Sequence, residues 1–191
     1  DGAPGAGLAL DIGPGLAKAA LVATVDGIER DLAVPLPDGA TVSIVTADSD
    51  AGLYTIRHST AHVLAQAVLD LWPGATYAIG PPIDHGFYYD FLLPEGATFS
   101  PEDLEAIDSR MREIIALDQL FERHETDASG AMELFEGHPY KREIIEKVSE
   151  GDGGAELSGE AGASGVLSCY RNGDGFVDLC MGPHVPSTGR L

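Results

Sequence analysis

Two pairs of side chains able to bind a metal or move a proton, His58/His62 and Cys180/His184, are each spaced four residues apart and lie more than half of the 191-residue chain from one another. The first, within His58-Ser59-Thr60-Ala61-His62, reads as helix, where residues four apart share a face. The second cannot lie mid-helix, because Gly182 and Pro183 interrupt regular structure, so it is expected where a strand end runs into a loop. A single His on a helix is more often a surface or core residue than a ligand. Two matched pairs point instead to one convergent site.

Two chemistries suit such a set. Two-Cys/two-His and Cys/three-His groups fit tetrahedral zinc, although the spacing is not that of a zinc finger and Ser59 stands where an HExxH metalloprotease helix carries Glu. Neutral imidazoles can equally orient water and relay protons near neutral pH without a metal. Residue types and spacing leave both open.

The elements that must position these residues are legible in the pattern. A helix over about 53 to 72 carries Ile56, Ala61, Val63, Leu64, Ala67, Val68, Leu71 and Trp72 as a broad apolar arc, with His58 and His62 on the other side beside Ala65 and Leu69. Pro73-Gly74 ends it. Before it, residues 1–48 read as a small β-rich unit. A short helix opens at Gly13-Pro14-Gly15, strands Leu21 to Val25 and Ile28 to Leu32 flank the Asp26-Gly27 hairpin turn, and Thr41 to Val45 alternates as a third strand. After the helix, strands are expected at about 76 to 80 and 86 to 93, the second rich in aromatics through Tyr89. Ser100-Pro101-Glu102-Asp103 caps a helix to about 118. A strand over 120 to 126, helices over 128 to 136 and 139 to 149, and a hairpin from Val166 to Cys180 follow. Glu150 to Gly165, dominated by Gly, Glu, Ala and Ser, reads as a loop. The fold class expected is α+β.

Composition narrows the function. Hydrophobic residues make up 44% of the chain, enough for a core, while 11 Lys+Arg against 31 Asp+Glu give a formal net charge of -20. That charge disfavours nonspecific nucleic-acid binding, so any RNA contact must rest on local basic residues or on another part of a larger protein. No signal peptide is expected, and the sequence holds no apolar run near the ~18 residues a membrane helix needs. Two Cys give no disulfide framework, which makes a reducing, cytoplasmic setting the expectation.

The motifs go further when taken together and in order. Arg57-His58-Ser59-Thr60-Ala61-His62-Val63-Leu64-Ala65-Gln66-Ala67, Gly80-Pro81-Pro82-Ile83, Gly86-Phe87-Tyr88-Tyr89-Asp90, Tyr140-Lys141 and Asp178-Leu179-Cys180-Met181-Gly182-Pro183-His184-Val185-Pro186 resemble the editing domain of threonyl-tRNA synthetases of bacterial type. Editing domains of the alanyl type share the two pairs, but the runs Gly86 to Asp90 and Asp178 to Pro186 resemble the threonyl type more. The first 48 residues resemble a TGS domain, a β-grasp module, in layout and in Gly13-Pro14-Gly15-Leu16-Ala17-Lys18-Ala19. The resemblance therefore implies a TGS-like domain over 1–48, truncated at its N-terminus, and an editing domain over 49–191, truncated at its C-terminus, with an antiparallel sheet and packed helices.

The resemblance also implies a reaction, hydrolysis of seryl-tRNA(Thr) with sparing of threonyl-tRNA. It places His58, His62, Lys141, Cys180 and His184 in catalytic positions and Tyr89 and Asp178 against the substrate, Asp178 facing the serine amino group. No cofactor is implied for this region; zinc and ATP-Mg belong to the synthetic domain absent here. The partners implied are serine-charged tRNA(Thr), the synthetic and anticodon-binding domains of the same chain, and a second copy in a full-length homodimer, with no membrane. Two departures stand out: Met181, where relatives commonly carry Arg or Lys, and His85. Competing readings are a non-catalytic tRNA-binding module and a zinc-dependent deacylase of the alanyl-editing type.

Overall fold

The computed structural model describes residues 2–150 and 166–191. The Gly- and Glu-rich stretch read as a loop falls almost wholly outside them. Among the described residues no helix is long and apolar enough to cross a membrane.

The chain opens with α1 (Gly5–Ile12) and α2 (Pro14–Ala19), followed by β1 (Ala20–Val25), β2 (Ile28–Asp31) and β3 (Val42–Thr46). The strands form an antiparallel sheet in the order β2-β1-β3. The Asp26-Gly27 turn joins β1 to β2 as expected, and its Asp26 carboxylate also accepts the Thr41 N–H at 2.9 Å. Helix α1 was not expected. Its two glycines are poor helix formers, and tertiary packing of Ala9 against Ala20, Ala23, Val25 and Leu32 supplies what local propensity lacks.

Helix α3 (Asp50–Leu71) starts three residues earlier than the periodicity implies, because the Ser49 side chain caps it by accepting the Gly52 N–H. It is buried on two sides. Val63, Ala67 and Val68 pack with Ile107 and Ile114 of α4 (Pro101–Ala116). Ala65 and Leu69 face a second cluster of Phe135, Ile145, Leu167, Phe176 and Leu179. The start of α4 is set by the predicted cap, with Ser100 and Asp103 bonding each other's backbone N–H.

The aromatic segment differs from expectation. In place of two continuous strands it forms two small antiparallel pairs, β4 (Thr76–Tyr77) with β7 (Phe91–Leu92) and β5 (Pro82–Ile83) with β6 (Gly86–Phe87). Pro81 and Pro82 lack the N–H that a continuous ladder needs. Beyond α4 come β8 (Phe121–Thr126), α5 (Ala128–Leu134), α6 (Pro139–Ser149), β9 (Leu167–Asn172) and β10 (Phe176–Leu179). Strands β8 to β10 make an antiparallel sheet in the order β10-β9-β8, with β9 buried at its centre. The architecture is α+β. Its C-terminal part hangs on α3, which lies between the α4 layer and the α5–α6 and β9–β10 layer.

Candidate active site

Helix α3 presents His58 and His62 one turn apart, with ring centroids 5.4 Å from each other. The register of β10 against β9 sets Leu179 opposite Cys169 and delivers Cys180 just past the strand end. There the chain turns through Gly182 at φ 73° and a cis Gly182–Pro183 peptide before reaching His184. The left-handed backbone favours glycine. A Cβ at Gly182 would also collide with the Tyr170 hydroxyl.

The two pairs converge. The ring of His184 lies 4.2 Å from the rings of both His58 and His62, centroid to centroid. Cys180 Sγ lies 3.1 Å from His58 Nε2 and 3.4 Å from His184 Nε2. His62, Cys180 and His184 are buried, and His58 keeps part of its surface open.

Ser59, between the two α3 histidines, bonds both the loop backbone and the His184 ring. Its Oγ accepts the Val185 N–H at 3.1 Å and lies 3.0 Å from His184 Nδ1. A hydroxyl oxygen can accept twice and donate once, so Ser59 pairs with either His184 tautomer, and the tautomer sets whether Nε2 donates to Cys180 Sγ or accepts from it. Sγ also accepts the Gly182 N–H at 3.2 Å. The result is a continuous chain of hydrogen-bonding atoms from Ser59 through His184 and Cys180 to His58.

Beside this chain lies a buried ion pair. Lys141 Nζ on α6 is 2.7 Å from Asp178 Oδ1, and both side chains are shielded from solvent. A lysine in an amphipathic helix is ordinarily exposed; here α6 packs Ile144 and Ile145 into the core and carries Lys141 in with them. Asp178 Oδ2 accepts the Tyr89 hydroxyl and sits 3.5 Å from His62 Nε2. The Lys141 ammonium further lies 5.4 Å and 5.8 Å from the ring centroids of Tyr77 and Tyr89, within cation–π range. All seven residues singled out in the sequence thus lie in one connected group. Met181 and His85 are both exposed.

Burial is the first cause of the low histidine pKa values. It pulls His58 and His62 down to about 3, with the neighbouring His62 adding to the effect on His58 and Lys141 to that on His62. His184 is held well below its ordinary value by burial and then by the other two rings. All three are neutral at pH 7. They can accept a second proton in passing but are uncharged at rest.

The same four side chains have the donor set for a metal. Their ligand atoms lie within 4.8 Å of one another, and a tetrahedral zinc with one S and three N donors needs separations of about 3.5 Å. His58, His62, Cys180 and His184 would hold such an ion, which would supply a Lewis acid or an activated water.

Several residues around the site gave no catalytic signal in the sequence. Ser59 lies inside the first motif, and its only hint was that position. Phe121 of β8 stacks on His184 at 4.9 Å with an interplanar angle of 11°. Tyr170 of β9 meets His184 edge-on at 4.4 Å. Nothing local marks either as a neighbour of His184.

Comparison with known proteins matches the two ends of the chain to separate families. Residues 7–46 match the TGS domain family, and residues 167–191 match the threonyl and alanyl tRNA synthetase second additional domain. The chain is 51% identical over 186 residues to a threonine-tRNA ligase of Acidithiobacillus ferrooxidans, covering 96% of this chain and 26% of that protein. It is 48% identical over 193 residues to a threonine-tRNA ligase of Maricaulis maris, covering 100% of this chain and 28% of that protein. A threonine-tRNA ligase of Rubrobacter xylanophilus is 46% identical over 180 residues. The chain spans about a quarter of the length of these relatives. The chain thus carries a TGS-domain match and a second-additional-domain match, and nearly its whole length is about half identical to one region of bacterial threonine-tRNA ligases.

Proposed function

We propose that this chain is the proofreading part of a threonyl-tRNA synthetase, hydrolysing the ester of seryl-tRNA(Thr) and sparing threonyl-tRNA(Thr). The observation that carries this reading is the meeting of three neutral imidazoles and a thiol with the buried Lys141–Asp178 pair. Ester hydrolysis needs an oriented water, a proton acceptor and a counter-charge for the carbonyl oxygen. The site has a candidate for each.

In this reading the seryl ester enters beside His58, which is half-buried. Asp178 takes the serine amino group, and Tyr89, bonded to that carboxylate, shapes the pocket wall. Water attacks the ester carbonyl carbon while its proton passes to the imidazoles of the His58/His62 pair. Lys141 stabilises the negative charge on the tetrahedral oxygen. The bond to the terminal ribose then breaks, the ribose oxygen receives the proton, and serine leaves as the free amino acid. Cys180 acts by orienting its two histidine neighbours and not as a covalent nucleophile. The need for such a site follows from sorting: a synthetic pocket that accepts threonine rejects serine through one missing methyl, worth ~1 to 3 kcal/mol. Threonine is then excluded here by size.

The tRNA and the synthetic and anticodon-binding domains of the same chain are its proposed partners, in a homodimeric enzyme. This region works without a cofactor in our reading, zinc and ATP-Mg serving the synthetic domain. The donor geometry of His58, His62, Cys180 and His184 favours one alternative, a zinc-dependent deacylase. Deacylation of seryl-tRNA(Thr) and threonyl-tRNA(Thr), with and without a strong chelator, tests both. Selective loss of serine that resists chelation supports the proposal, and loss that chelation abolishes supports the zinc reading. Binding of tRNA without turnover on either substrate would sink both in favour of a binding module.

A further inference from the structure

The loop that carries Cys180 and His184 has left the sheet, so its shape depends on side chains that catch its backbone. Three amides are held this way: Gly182 N–H by Cys180 Sγ at 3.2 Å, His184 N–H by Asp31 Oδ1 at 2.8 Å and Val185 N–H by Ser59 Oγ at 3.1 Å. The carboxylate is the strongest of these acceptors, and it comes from β2 of the N-terminal sheet, 153 residues away in the chain.

Its second oxygen serves the same loop. Asp31 Oδ2 accepts the Tyr170 hydroxyl at 2.6 Å. Tyr170 lies edge-on to the His184 ring and occupies the space beside Gly182. One carboxylate therefore fixes both the main chain of His184 and the ring that backs its imidazole. We propose that Asp31 is a positioning residue of the deacylation site, through which the N-terminal unit holds the Cys180–His184 loop in register with His58 and His62 without touching the substrate.

This inference rests on the deacylase reading, and geometry is what it requires of Asp31. Asparagine is nearly isosteric with Asp: its Oδ1 can take the His184 N–H and its amide can face the Tyr170 oxygen. Glutamate keeps the charge but is one methylene longer. Burial raises the pKa of Asp31, while the bonds from the Tyr170 hydroxyl and the His184 N–H oppose the shift.

The test compares Asp31→Ala, Asp31→Asn and Asp31→Glu in the 191-residue chain. It measures kcat and KM on seryl-tRNA(Thr), the melting temperature, the His184 amide proton resonance and the alkylation rate of Cys180. Asp31→Ala is expected to lower kcat roughly 10- to 100-fold, as a displacement near 1 Å does, with KM changed less than about twofold. Asp31→Asn should restore most of kcat and keep the His184 amide near its wild-type shift, while Asp31→Glu should fall below it. A folded Asp31→Ala with wild-type kcat would overturn the proposal. So would Asp31→Glu outperforming Asp31→Asn, an order that decides the matter even if Asp31→Ala does not fold. If the wild-type chain itself turns over no substrate, the deacylase reading fails. The His184 amide and Cys180 alkylation then judge Asp31 alone, and no change in either across the folded variants would overturn its positioning role.

Discussion

Lys141 and Asp178 approach to 2.7 Å in a region closed to solvent, although one lies on a helix and the other on a strand 37 positions later. A buried pair of this kind adds little net stability, because desolvating two charges offsets most of their attraction. Removing one partner strands the other. Lys141→Met is therefore expected to cost about 3 to 5 kcal/mol in urea unfolding. The double variant Lys141→Met/Asp178→Leu should regain most of that, and neither should deacylate seryl-tRNA. Full activity in the double variant would remove both residues from the mechanism.

Stability should fall in acid, with a sign set by the histidines. The folded pKa values of His58 and His62, about 3, lie below the ordinary 6.5. The unfolded chain therefore takes up protons first as the pH drops. Each histidine contributes stability that is complete above about 6.5 and is lost progressively as the pH falls toward 3. His62 and His184, sealed from water, should dominate over the partly open His58. Asp31 opposes them weakly: its raised pKa gives stability that is lost as pH rises through its folded value. Urea unfolding across pH 4 to 7 should show a positive slope of unfolding free energy with pH, reduced in His62→Gln. An unchanged slope in that variant would contradict the neutral assignment of His62.

Ser59→Ala removes the acceptor of the Val185 N–H and the partner of His184 Nδ1 at once. An orphaned buried donor costs about 1 to 3 kcal/mol, and the imidazole ring is no longer held at Nδ1. Lower thermal stability and a drop in kcat of about tenfold are expected. A stability loss with kcat intact would show that the serine holds the loop but not the ring.

Gly182→Ala places a methyl on a left-handed residue and against the Tyr170 hydroxyl. Strain and overlap together should destabilise the chain by about 1 to 3 kcal/mol, visible as a lower melting temperature. Adding Tyr170→Phe, which clears the hydroxyl, should recover part of it. No recovery would place the whole effect in the backbone.

Much of the site could be read from residue order. His58 and His62 fall on one face because four residues make about one helical turn. Gly182 and Pro183 force the second pair into a loop, and the Ser100-Pro101 cap and Asp26-Gly27 turn work through neighbours a few positions apart. The division of α3 into an apolar arc and a His-Ala-Leu face survives in part: Val63, Ala67 and Val68 pack on one side and Ala65 on the other, whereas Leu69 touches both clusters and Leu71 is exposed. Where propensity conflicts with context, as at α1 with its two glycines or at the Pro-interrupted aromatic run, sequence pattern misleads.

What only the tertiary structure decided are the relationships between distant segments. The i, i+3, i+4 spacing of Lys141, Ile144 and Ile145 already puts the lysine on the buried face of α6, but its pairing with Asp178 depends on how α6 sits against β10. Ser59 becomes the hydrogen-bond partner of His184 only because the 180–185 loop closes over α3. Asp31 closes a plain hairpin strand in the sequence, yet its carboxylate holds a loop from the other end of the chain. The physical reason is range: helix phase, caps and turns are set by forces acting over a few residues, whereas desolvation and carboxylate hydrogen bonds depend on which surfaces the whole chain brings together.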